Sequence, residues 1–306
     1  MNNEDDLLLN LHANTVCFFG IFAFMTSLAQ QTVKVAILDL YNGFPNQGMR
    51  GIRAILEEFG SENQLQLTYD EFDVRRTAHV PDLSYDVYIS SGGPGSPFDG
   101  EGTEWEERYF NWLQAVLEWN ADPLKQTKKY VFFICHSFQM ASRYFNLGNV
   151  CKRKSTAFGV FPVHIVQSSA NENVFDGLKD PFYVVDSRDY QVIEPDFQQL
   201  KRIGAHILCI EKDRPHVPLE RAIMAVRFNE YMIGTQFHPE ADAIGMSMYL
   251  QTEEKKATVI ENHGFEKWKS MIEHLEDPDK ILWTYAHLLP NFLRQACNLK
   301  SVHVLV

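Results

Sequence analysis

The chain has 306 residues, a formal net charge of −12, and 45% apolar or aromatic residues. A chain of that length and apolar content buries a sizeable core, which excludes wholesale disorder. Its acidity, with no basic stripe, argues against a phosphate-backbone partner.

The first apolar run, VCFFGIFAFMTSLA over residues 16–29, is too short for a comfortable membrane span. Ser27-Leu28-Ala29 fits a cleavage site, which leaves export open, but Asn2-Asn3-Glu4-Asp5-Asp6 is acidic where a signal needs positive charge. Residues 1–32 are therefore expected to form a leader or poorly ordered segment, with Met25 the better initiator, and the protein to be cytoplasmic. The five cysteines, Cys17, Cys135, Cys151, Cys209 and Cys297, contain no C-x-x-C pair. Neither a zinc knuckle nor a thioredoxin-like motif is present, and reduced thiols fit best.

Val33 to Leu40 is a short β-branched run and predicts a buried strand. A Gly/Pro/Asn loop leads to a helix over Met49 to Phe59, stopped by Gly60. Tyr85 to Ser90 predicts a second strand, ending in the loop 91–102. Thr103-Glu104-Trp105-Glu106 is a capping box that opens a helix with Trp105, Tyr109, Trp112, Leu113 and Val116 on one side. Tyr130 to Ile134 is a fully apolar strand running into Cys135 and a helix over Ser137 to Phe145. Shorter β-like runs follow at 160–166, 182–185, 206–210, 222–228 and 232–237. Strands separated by helices, then β-rich segments, predict an α/β domain with a mostly parallel sheet covered on both faces. From Met246 onward the chain reads as charged helix, with amphipathic stretches at 266–275 and 281–297, the latter broken near Pro290. These are expected to pack on the domain 33–245 as an extension over 246–306, with a lid or docking surface as the alternative. His79, His164, His206 and His263 lack ligand spacing and read as structural, and no metal site is expected.

Three segments carry chemistry. In Phe133-Ile134-Cys135-His136-Ser137-Phe138-Gln139 a cysteine sits at a strand-to-helix junction. Such a turn projects the side chain from the sheet edge and aims backbone amides at it, favouring a thiolate. Most cysteines after apolar runs are nevertheless buried and inert. In Gly234-Thr235-Gln236-Phe237-His238-Pro239-Glu240 a histidine suited to proton transfer precedes a carboxylate that can orient it. In Ser91-Gly92-Gly93-Pro94-Gly95-Ser96-Pro97 the glycines let backbone N–H groups approach an oxyanion, although such loops are usually only turns.

Taken in chain order, each after a strand, residues 91–97, 133–139 and 234–240 resemble the S-G-G-P loop, nucleophile elbow and H-P-E of the class I glutamine amidotransferases, of the GMP synthase amidotransferase kind. The resemblance covers roughly residues 33–245 and implies a flavodoxin-like three-layer α/β sandwich. It implies Cys135 as nucleophile, His238 as general base and acid, and Glu240 as the group orienting His238. The amides of Gly93 and His136 would form the oxyanion hole, and Gly92, Gln139, Ser187 and Arg188 would meet the substrate. It implies ammonia release from glutamine or a related amino acid through a γ-glutamyl thioester, with no cofactor, no nucleic acid and no membrane, and with a synthetase as possible ammonia acceptor.

The chain is a divergent member of this pattern. Phe133 and Ser137 stand where the elbow glycines belong; Ser137 is expected to narrow the approach to the nucleophile, and Phe133 is bulky. Arg188 replaces the histidine of an S-H-x-D-x-V loop expected near the substrate. It either grips a substrate carboxylate or pairs internally with an aspartate. The same stretch resembles the H-S-R-x-x-x-V segment of homoserine O-acyltransferases, which use the same triad to move an acyl group from coenzyme A. A non-catalytic binding module is the third alternative.

Overall fold

The computed structural model describes residues 31–299 apart from 216, 278 and 279. The leader and its apolar run lie outside the described residues.

The first half alternates as its apolar pattern demands. Strand β1 (Thr32–Asp39) leads to helix α1 (Gly48–Glu62), β2 (Gln66–Asp73), the short helix α2 (Val74–Thr77) and β3 (Val87–Ser90). Helix α3 (Glu104–Ala121) starts at Thr103, whose side chain accepts from the Glu106 amide. Then come β4 (Tyr130–Ile134) and α4 (His136–Tyr144). The β-rich half contains β5 (Asn149–Ile165), β6 (Phe182–Ile193), α5 (Phe197–Ile203), β7 (His206–Glu211), β8 (Ile223–Asn229) and β9 (Met232–Thr235).

These strands form a nine-stranded sheet in the order β2-β1-β3-β4-β9-β8-β7-β5-β6. The ladders from β2 to β9 are parallel, and those from β9 to β6 are antiparallel. The parallel part has the flavodoxin-like order, whose ligands bind beyond the carboxyl ends of the strands. Two apolar layers cover the sheet. Alternate residues of β1 divide between them: Val33, Val35 and Ile37 face one layer, and Ala36 and Leu38 the other. The first layer is built on α1 (Ile52, Ile55, Leu56, Phe59), the second on α3 and α4 (Trp112, Leu113, Phe138, Ala141).

The helical tail supplies α6 (Ala243–Leu250), α7 (Glu253–His263), α8 (Phe265–Glu276) and α9 (Ile281–Ala296). Helix α9 belongs to the first apolar layer beside α1, burying Leu288, Leu289, Phe292 and Leu293. Contrary to expectation it is not broken at Pro290. A proline removes one backbone donor and crowds one carbonyl, and the buried apolar face on both sides of Pro290 outweighs that loss. Met246, Leu250, Val259, Met271 and Leu275 of α6–α8 form a third cluster with Val160 of β5 and Val185 of β6.

Phe133 fits without crowding the site because space has been left on the neighbouring strand. It lies opposite Gly234 in the β4–β9 ladder and is fully buried in the second layer. A Cβ on Gly234 would sit 2.9 Å from Phe138 and Phe228 ring carbons and 3.2 Å from Phe133 Cβ. Gly234→Val is therefore expected to destabilise the fold by about 1–3 kcal/mol through overpacking. In urea unfolding, Phe228→Ala in the same chain should relieve part of that loss, since it removes one of the two ring contacts, so that the double variant is more stable than the sum of the singles predicts. Strict additivity would show that the two positions do not share this space.

Candidate active site

The carboxyl ends of β3, β4 and β9 converge where the three motifs meet. Cys135 links β4 to α4 with φ 48° and ψ −95°. A non-glycine residue held there stores of the order of 1–3 kcal/mol of strain. Four hydrogen bonds hold it. The Cys135 amide donates to the Thr235 carbonyl (2.7 Å), and the Gln139 amide to the Cys135 carbonyl (3.0 Å). The Ser137 hydroxyl accepts from the Ile134 amide (2.8 Å) and donates to the Ser90 carbonyl (2.7 Å). Ser137 thus corrects the sequence expectation: its side chain is fully buried and turned into the fold, latching the elbow to β3.

His238 is held from two sides. Its amide donates to the Val185 carbonyl (2.9 Å), and its Nδ1 lies 2.8 Å from Glu240 Oε1. The ring is also within hydrogen-bond reach of the Cys135 thiol. Burial opposes a charge on this imidazole, but the charges of Glu240 and Cys135 and the hydrogen bonds to both outweigh it, raising its pKa well above the ordinary value. Glu240 is itself buried, with Oε2 unpartnered among the described residues.

Small residues make room for this packing. A Cβ on Gly92 would lie 2.8 Å from His238 Cε1 and 3.1 Å from the Tyr41 hydroxyl. A Cβ on Gly48 would collide with the Tyr41 hydroxyl (2.1 Å) and approach Glu240 Oε1 (3.1 Å). Burial, then the charges of Glu240 and Cys135, push the Tyr41 phenol well above its usual range, so it stays neutral. Tyr41 and Gly48 were not singled out in the sequence. The available signal was their position after β1, at the edge where α/β sites form.

The loop after β3 is fastened. Arg75 donates to the Pro94 carbonyl (2.7 Å), and Arg143 donates to the Pro97 carbonyl while pairing with Glu106 (2.6 Å) and Glu101 (2.7 Å). Among the described residues neither the Gly93 nor the His136 backbone N–H has an acceptor. The His136 imidazole is buried, and burial, then Arg75 and Arg143, push its pKa down to about 3. That ring stays neutral, so what His136 can offer an anion is its backbone amide.

Gln139 is buried, its Nε2 facing the Tyr190 carbonyl (3.4 Å) and Gln236 Oε1 (3.1 Å). Gln236, missed although it lies inside the H-P-E segment, places Nε2 3.7 Å from Cys135 Sγ. The Ser187 carbonyl lies 3.7 Å from the same sulfur. Ser187 and Arg188 sit within strand β6, not in a loop as expected. Arg188 is engaged internally. Its guanidinium is 1% exposed and occupied by Asp186 (2.9 and 3.1 Å) and Glu211 (3.2 Å), with Arg153 sharing Glu211 (3.2 Å). Internal pairing is the reading that the structure bears out. Among the described residues no cluster of His, Cys, Asp or Glu could hold a metal ion, and no helix is long and apolar enough to cross a membrane.

The fold has close counterparts. A glutamine amidotransferase from Thermotoga maritima superposes with a TM-score of 0.61 at 17% identity, covering 86% of this chain and 97% of that one. The glutaminase domain of CTPS from Trypanosoma brucei, with bound acivicin, gives 0.55 at 16% identity over 88% and 96% of the two chains. A glutamine amidotransferase from Methylobacillus flagellatus gives 0.55 at 12% identity over 90% and 98%. No curated protein sequence matches. The family model described as glutamine amidotransferase class-I matches residues 50–254, more than half of the chain and all three motifs. The chain belongs to the class I glutamine amidotransferase family.

Proposed function

We propose that the protein hydrolyses the side-chain amide of glutamine, or of a closely related amino acid, through a thioester at Cys135. The observation that carries this reading is the line Glu240–His238–Cys135. A buried carboxylate lies 2.8 Å from one nitrogen of a half-buried imidazole whose ring reaches the thiol on a strained elbow. His238 takes the thiol proton, and the sulfur attacks the amide carbon. The negative charge that develops on the carbonyl oxygen is met by the free amides of Gly93 and His136, a donor of this kind contributing about 3 kcal/mol. His238 returns the proton to the leaving nitrogen, ammonia departs, and a thioester remains. Water, deprotonated by His238, attacks that thioester and restores the thiol. The acid product leaves, and the ammonia passes to water or to an accepting synthetase.

Glu240 keeps His238 in the tautomer and orientation that this proton traffic needs. The raised proton affinity of His238 also means that the proton is held ready for the leaving group. The choice of glutamine rests on the family; the choice of a sulfur nucleophile rests on the geometry.

A diazo-ketone analogue of glutamine should label Cys135, located by mass spectrometry of the intact protein and its peptides. His238→Ala should reduce the labelling rate by about 100-fold or more, the range of a lost general base. Cys135→Ser should abolish labelling and ammonia release together. An unlabelled Cys135 in folded protein would sink the reading.

A second measurement concerns stability. Because folding raises the pKa of His238, the stabilisation it brings is complete below its ordinary value of 6.5 and is lost as the pH climbs through the raised one. Glu240→Gln should therefore lower the urea midpoint more in mildly acid solution than in alkaline solution. An equal loss at both would mean that Glu240 does not hold the imidazolium.

A further inference from the structure

We propose that Gln236 is a positioning residue for the nucleophile, its side-chain amide being aimed by Gln139 to donate to Cys135 Sγ and favour the thiolate. The inference rests on the reading of Cys135 as a nucleophile.

The orientation of a side-chain amide has to be deduced from its partners, because its oxygen and nitrogen look alike. Here the deduction has a fixed starting point. The Tyr190 main-chain carbonyl can only accept, so the end of Gln139 that faces it at 3.4 Å is the NH2 group. The same NH2 group faces Gln236 at 3.1 Å, so the Gln236 atom it meets is the oxygen. The NH2 group of Gln236 is thereby left facing Cys135 Sγ at 3.7 Å, within range for a sulfur acceptor. Gln236 is fully buried and its backbone N–H donates to the Met224 carbonyl (2.8 Å), which fixes its main chain beside the sulfur.

The two neutral polar groups at the sulfur prefer opposite states. The Ser187 carbonyl accepts from the thiol S–H and repels a thiolate. The Gln236 amide is a donor, and a donor gains strength when its acceptor becomes an anion. His238, Glu240 behind it and Tyr41 are the titratable groups that bear on the same sulfur. Among them Gln236 is the group that can favour the anion without gaining or losing a proton. It also stands two residues before His238, so β9 and the turn beyond it deliver both the donor and the base.

The test is alkylation of Cys135 by iodoacetamide in the full chain, followed by mass spectrometry of the Cys135 peptide across the acid to alkaline range. Gln236→Leu removes the donor at similar volume and should slow alkylation about tenfold near neutral pH, moving the rise of the rate to higher pH. Gln236→Glu places a carboxylate at the sulfur and should be slower still above neutrality. The order wild type, Leu, Glu is a charge signature that a merely structural role would not produce. Should the Leu variant fail to fold, Gln139→Leu frees the Gln236 amide to turn and should slow alkylation in the same direction. A wild-type profile in folded Gln236→Leu, or in Gln139→Leu, would overturn the proposal. Wild-type alkylation with the expected order, but no ammonia from glutamine, would overturn the amidase reading and leave this one standing.

Discussion

Residue 135 is asked to hold a backbone conformation that an L-amino acid resists, and much of the surrounding architecture answers to that demand. At φ 48° and ψ −95° the strain is of the order of 1–3 kcal/mol, comparable with two or three net hydrogen bonds. It persists because β3, β4 and β9 are neighbours in one parallel ladder. The Thr235 carbonyl then receives the Cys135 amide, and the Ser90 carbonyl receives the Ser137 hydroxyl. Without that strand order the elbow would relax, and the thiol would lose both the helix amides ahead of it and the imidazole beside it. The strain is local, but its support comes from residues far apart in the chain.

This also explains how the elbow tolerates the loss of its glycines. A glycine relieves crowding in two ways, by accepting unusual dihedral angles and by having no side chain. Here the two tasks are separated. Ser137 replaces flexibility with an anchoring hydroxyl, and Gly234 on the adjacent strand provides the empty volume that Phe133, Phe138 and Phe228 fill. The bulk of Phe133 lies on the side of the sheet away from Cys135, which belongs to the first apolar layer while Phe133 belongs to the second.

Much of this was legible in the sequence, for identifiable reasons. β1, β3 and β4 are apolar along nearly their whole length because both faces are covered, so they stand out as runs. The edge strand β2 did not, because Gln66–Asp73 exposes most of one face and one edge and carries three acidic residues. The motif segments placed Cys135, His238 and Glu240 in one site, but not Tyr41 or Gln236. Those two act through position, and a tyrosine or a glutamine just after a strand has no spacing that marks it. For Arg188 the nearby aspartate was legible as a partner, but its second partner was not. Its partner Glu211 is on another strand, and sequence separation hides an ion pair of that kind.

The buried ion pairs of β6 then acquire a purpose. Charges removed from water rarely add stability, since desolvation offsets most of the attraction. What they add is specificity, because a slipped register would leave Asp186, Arg188 and Glu211 unpaired in an apolar interior. A slip by one residue would also turn the side chain of Ser187 to the other face and carry its carbonyl away from Cys135. The cluster sits at the irregular part of the β5–β6 ladder, where the register shifts between Lys152 and Ala157 and hydrogen bonding fixes it least. Removing Arg188 should therefore loosen the alignment in which the Tyr190 carbonyl meets Gln139 and the Ser187 carbonyl meets the sulfur.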